Sequence, residues 1–105
     1  MSDKTSTEGT DMKYHRAFEM FADMMQFALN NGMTSYQSDL MHDAVQLNNA
    51  EAMGDPVEFL WVIKSNGCGT WLWNCAGDIP SIVTSDTGAK VIIKYDGTYW
   101  TFDKQ

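Results

Sequence analysis

The sequence predicts an α+β domain: an N-terminal antiparallel helical hairpin packed on one face of a four- to five-stranded antiparallel sheet. Three observations carry that expectation. Apolar residues recur at helical spacing as far as residue 53. From residue 57 the composition turns to β-branched and aromatic residues. Asp96-Gly97, set between two apolar runs, is a two-residue hairpin signal. With 105 residues, of which 44% are hydrophobic, the chain suits one globular domain with its own core.

Residues 1–10 (MSDKTSTEGT) have no apolar periodicity and read as a disordered tail; residues 11–105 read as the domain. A first helix is expected over 11–31, with Tyr14, Phe18, Phe21, Met25 and Ala28 as its apolar stripe. Asn30-Asn31-Gly32 ends it, Gly32 being suited to a left-handed terminus. Thr34 or Ser35 caps a second helix over 35–53, with Tyr36, Leu40, Ala44 and Leu47, joined by Met41 and Val45, as its stripe. Gly54-Asp55-Pro56 stops it. A short connection implies antiparallel packing of the two helices.

Strands are expected over 57–64, 70–75, 79–84, 89–95 and 98–103. Pro80 demotes the third to an edge. The type I′ turn at Asp96-Gly97 would pair Tyr95 with Thr98 and Ile93 with Trp100, placing Val91, Ile93, Trp100 and Phe102 on one face. The first strand is apolar on both faces. Phe59, Trp61 and Ile63 face the helices; the back, with Leu60 and Val62, needs cover from its own chain, a second subunit or a partner.

The net charge of −7 is concentrated in one segment. Residues 17–63 hold seven acids, Glu19, Asp23, Asp39, Asp43, Glu51, Asp55 and Glu58, and no Lys or Arg. Acids and bases balance on either side of it. Glu19/Asp23 and Asp39/Asp43 are i,i+4 pairs, a spacing at which like charges cost about 0.2–0.5 kcal/mol each. The helical hairpin therefore presents a surface of one sign, at some local expense.

This charge balance disfavours direct nucleic-acid binding, which needs clustered Lys and Arg, and also disfavours an anionic membrane surface. No apolar run approaches the roughly 18 residues that span a bilayer, and the polar start does not read as a secretory signal. A metal shared by His15 and His42 is rejected, because in the expected hairpin their heights differ by roughly 13 Å. Cys68 and Cys75 should be separated by roughly 23 Å of extended chain, too far for a disulfide. They read as free thiols in a reducing, cytoplasmic compartment. Asn66-Gly67-Cys68-Gly69 lacks the lysine and following helix of a phosphate loop. The eight methionines read as core filling.

The expectation is a small acidic, non-enzymatic binding protein without metal or cofactor. Glu19, Asp23, Asp39, Asp43, Glu51 and Asp55 would dock on a protein that presents a basic, nucleic-acid-handling surface. Size and charge suit an inhibitor of the anti-restriction or anti-CRISPR kind, made by a phage or mobile element. One alternative is a small-molecule or nucleotide binder using the aromatic sheet through Leu60, Val62 and Tyr99. Another is a structural homodimer.

Overall fold

The computed structural model describes residues 12–33, 36–67, 69–74, 79 and 81–104. The expected tail, the Thr34 or Ser35 cap, both cysteines and Pro80 lie outside the described residues, as does the Asp39 side chain. The elements in chain order are β1 (Met12–Tyr14), a 3-10 turn (Ala17–Met20), α1 (Phe21–Asn30), α2 (Tyr36–Met53), β2 (Val57–Ile63), β3 (Thr70–Asn74), α3 (Ser81–Ser85), β4 (Ala89–Tyr95) and β5 (Trp100–Lys104). The fold is α+β with a five-stranded antiparallel sheet, order β1-β5-β4-β2-β3.

The N-terminal segment corrects the first expected helix. Met12–Tyr14 is a strand, pairing Met12 with Phe102 and Tyr14 with Trp100. Covering the outer edge of β5 satisfies backbone groups that a longer helix would have left exposed there. Arg16 is extended, the chain then winds as a 3-10 turn, and α1 starts only at Phe21. The chain thus enters its helices from the sheet, and the helical part is shorter than the expected hairpin. The stripe is also rotated: Ala17, Met20, Met24, Phe27 and Ala28 are buried, while Phe18 is 54% exposed. Both sets have helical spacing, so periodicity alone could not choose between them. The end of α1 follows the sequence, with Gly32 at φ 78° and the Met33 N–H donating to Ala28 O at 3.1 Å.

Among the described side chains of α2, Leu40, Asp43 and Leu47 are buried, whereas Met41 and Val45 of the expected stripe are exposed. The helices cover one sheet face. Trp61, Ile63, Val91, Ile93, Trp100 and Phe102 supply the sheet side of that core. Phe27 lies edge-on to Phe102 with centroids 5.9 Å apart and sits 5.5 Å from the Trp61 ring.

The second correction is at residues 79–84, expected as a strand. Ser81–Ser85 is a short helix on the back of the sheet, where Val83 buries against Leu60 and Val62. Burying Val83 there overrides the local β propensity of its neighbours. The third correction is the β4–β5 register. Tyr95 pairs with Trp100 and Ile93 with Phe102, two positions from the expected pairing. The Asp96 Oδ1 accepts the N–H groups of Thr98 (2.8 Å) and Tyr99 (2.7 Å), which holds a four-residue loop in place of a two-residue turn. Because the slip is two, every side chain stays on its expected face. Gly97 keeps the positive φ, 101°, that the turn requires. Gly88 is required by space instead: a Cβ there would lie 1.9 Å from Ile63 O.

Candidate functional site

Between α2 and β3 lies an open groove of about 680 Å³. Its helix wall carries His42, Asp43, Gln46, Asn49, Ala50 and Met53; Val57, Phe59, Thr70, Leu72 and Asn74 line the sheet side, and Asp55 stands beside them. His42, Gln46, Asn49 and Met53 recur at i, i+4, i+7 and i+11, one stripe of the helix. The groove exists because β3 is an edge strand of the sheet, and α2 runs over its inner side without closing on it.

At the buried side of the groove is Asp43, 5% exposed. Its Oδ2 accepts the Trp61 indole N–H at 2.9 Å and the Thr70 hydroxyl at 2.8 Å. These two donors come from adjacent strands, since Ile63 pairs with Thr70 and Trp61 with Leu72. Its Oδ1 lies 3.6 Å from His42 Nδ1, an ion-pair approach too long for a hydrogen bond. Burial raises the Asp43 pKa; the bonds from Thr70 and Trp61 and the neighbouring His42 lower it only in part. Burial in the helix–sheet interface thus disfavours the charged form of Asp43, and the hydrogen bonds from Thr70 and Trp61 offset that in part.

The residues expected to form an acidic docking face divide into several groups. Asp43 was expected on the solvent side; it is buried in the helix–sheet interface, a correction that follows from Trp61 and Thr70 needing an acceptor there. Glu51 is half-buried and accepts the Ala17 N–H at 2.9 Å, satisfying the start of the 3-10 turn, with Trp100 Nε1 at 3.4 Å. Asp23 is half-buried and accepts the Tyr14 hydroxyl, an acceptor that, after burial itself, holds the Tyr14 pKa above its usual range. Glu19 is exposed and accepts the His15 N–H at 3.0 Å. Asp55 is exposed at the groove. Asp39 falls within α2.

The alternative face is not assembled. Leu60 and Val62 are buried beneath Val83 and Ile79, so the chain covers this part of the sheet back itself. Tyr99 stands in the β4–β5 loop, 6.0 Å from the His15 ring and 5.7 Å from Lys13 Nζ. On β3, Trp71 stacks on Trp73 at 5.5 Å and Lys64 Nζ sits 4.6 Å from the Trp71 ring centre; both tryptophans also border the groove.

Sequence reasoning missed the groove, although one signal was present. A stripe of polar residues, His42, Gln46 and Asn49, runs beside the apolar stripe of α2. Among the described residues, no group of three or more His, Cys, Asp or Glu side chains converges to hold a metal ion. Among the described residues, no helix is long and apolar enough to cross a membrane. The chain matches no family model, no curated protein and no solved structure.

Proposed function

We propose that the chain is a small acidic, non-enzymatic binding protein that docks its helical side on a basic protein surface, one that otherwise handles nucleic acid. The observation that carries this reading is the charge segregation. All seven acids of residues 17–63, and no Lys or Arg, belong to a segment that builds α1, α2 and β2. Asp43 and Asp55, two of these acids, line the groove beside α2. Carboxylates gathered in one segment steer a basic surface and compete with phosphates for it. Such a protein would act as an inhibitor or modulator, in the manner of anti-restriction or anti-CRISPR proteins encoded by phages and mobile elements.

The test uses Glu19→Gln, Asp23→Asn and Asp39→Asn together, which keep shape and acceptor atoms while removing three charges. Their stability should hold or rise slightly. Binding to a basic nucleic-acid-handling protein should weaken, its salt dependence should flatten, and duplex DNA should compete with the wild-type protein for the same surface. A partner whose affinity ignores both the triple neutralisation and salt from about 0.05 to 0.5 M would falsify the reading.

A further inference from the structure

Of the seven large apolar side chains exposed among the described residues, five fall in the acidic segment 17–63: Phe18, Leu29, Met41, Val45 and Met53. Single exposed apolar residues are ordinary, but three of these share one side of the helical layer. Met41 and Val45 lie two residues on either side of buried Asp43, so each is turned by about 200° from it, away from the sheet. Leu29 is likewise two residues past buried Phe27. Both helices pack on the same sheet face, so the three side chains emerge on the outer side of one layer. Counted from Met33 in the connection, Leu29 stands roughly 6 Å along α1 and Met41 roughly 12 Å along α2. Packed helices run about 8–10 Å apart, which makes these two neighbours, with Val45 one turn further on. The three are between 48% and 55% exposed, so the fold leaves the row half open to solvent.

We infer that this outer face, centred on Leu29, Met41 and Val45, seats a cationic amphipathic helix of the basic partner. The partner's charge rests on the docking reading. Charge complementarity chooses the occupant. The face belongs to a segment with seven acids and no Lys or Arg. A second copy of the chain would set a net charge of −7 against another −7, and an anionic membrane surface would be repelled as well. A helix with an apolar stripe and flanking Lys and Arg satisfies both the row and the field around it. The row runs along the helix pair, so a partner helix laid beside it presents apolar residues at i, i+4 and i+7. Met41 suits such a seat, since an unbranched thioether side chain repacks around differently shaped apolar neighbours. Apolar contact then sets how long the complex lasts, while the acids steer its formation.

The experiment titrates the full chain with a labelled helical peptide of about four turns, leucines on one face and lysines and arginines on its flanks. One control peptide carries the same residues in scrambled order, and another carries glutamate in place of every base. Anisotropy gives the affinity, and the methyl resonances of Leu29, Met41 and Val45 report the place of binding. The cationic helix should bind and shift those resonances, with both controls at least about tenfold weaker. Met41→Gln with Val45→Gln changes side chains that are already exposed, so the buried Trp61 indole resonance should persist while binding falls at least about tenfold. No binding of the cationic helix overturns the proposal, as does equal binding of the scrambled peptide or undiminished binding by the double variant. A dimer that sedimentation finds in the wild type but not in the double variant also overturns it, because a second copy then covers the face. Binding to phosphatidylcholine–phosphatidylserine vesicles that the double variant loses does the same. Against a basic nucleic-acid-handling protein, weakening by both the double variant and the triple neutralisation of Glu19, Asp23 and Asp39 supports the proposal. If only the neutralisation weakens binding, the helical seat fails and the docking reading survives. If only the double variant does, the docking reading fails and takes the cationic helix with it.

Discussion

Asp43 and Asp96 each accept two hydrogen bonds through a single carboxylate oxygen, yet they serve the molecule in opposite ways. Asp43 gathers Trp61 and Thr70, which lie 18 and 27 positions away, and sits at the helix–sheet interface. Asp96 gathers the backbone N–H groups of Thr98 and Tyr99, two and three positions away, in an exposed loop. Burial raises the first pKa, whereas the Tyr99 and Thr98 N–H groups lower the second. Asp86 combines the two, accepting the Gly88 N–H two positions away at 2.7 Å and the Ser65 N–H 21 positions away at 2.8 Å. Asp96 thus holds its own turn through neighbouring backbone. Asp43 instead holds distant elements together through their side chains, at the cost of desolvation.

The largest expected effect breaks the long-range member of the pair. Asp43→Ala leaves the Trp61 indole and the Thr70 hydroxyl without their acceptor, and should destabilise by about 2–4 kcal/mol. Chemical denaturation monitored by Trp fluorescence measures it. A loss no greater than that of Asp96→Ala would erase the distinction between the two sites.

Gly97→Val comes next and probes the local member. Nothing lies within 4 Å of a Cβ at Gly97, so the substitution acts only through its φ of 101°. A β-branched residue resists that conformation, and about 1–3 kcal/mol should be lost. An unchanged denaturation midpoint would show that the Asp96 loop tolerates another backbone conformation.

The smallest effect is a difference in pH slope. Asp96 has a lowered folded pKa, so its contribution is present above the ordinary carboxylate range and disappears as pH falls through the lowered value. Asp43 has a raised folded pKa, so its contribution favours the fold at low pH and is lost as pH rises through the raised value. From neutral pH into the acid range, Asp43→Asn should therefore lose stability more steeply than wild type, and Asp96→Asn more shallowly. Denaturation midpoints at several pH values measure this, and parallel slopes for all three proteins would contradict the assigned directions.

The same division explains what could be read from the chain. β2, β3 and β4 were legible because their apolar content and flanking glycines are local properties. The end of α1 was legible because Gly32 acts within one turn. β1 was hidden because a three-residue strand has almost no pattern of its own and depends on β5. Residues 81–85 were misread because the β-branched character of Ile82 and Val83 is visible locally, while the burial of Val83 against Leu60 and Val62 is not. Asp96 misled by two positions, since its side chain competes with the backbone for the turn. Asp43 looked like half of a repulsive surface pair with Asp39. Its real partners lie on β2 and β3, beyond any helical period.

The pairing of β1 with β5 also constrains the order in which the molecule can assemble. Met12 meets Phe102, so the first described strand finds its place only against nearly the last residues of the sequence. The β4–β5 hairpin closes over a short loop, and the β2–β3 pair likewise, so both can form early. The β1 edge strand must wait for the longest loop in the fold to close, a step whose entropy is recovered only when the contact is made. During synthesis, residues 12–14 leave the ribosome well before their partner strand exists. β1 is thus the natural last step of folding and the first to open, and amide exchange at Met12–Tyr14 should be faster than at the β2–β4 centre of the sheet.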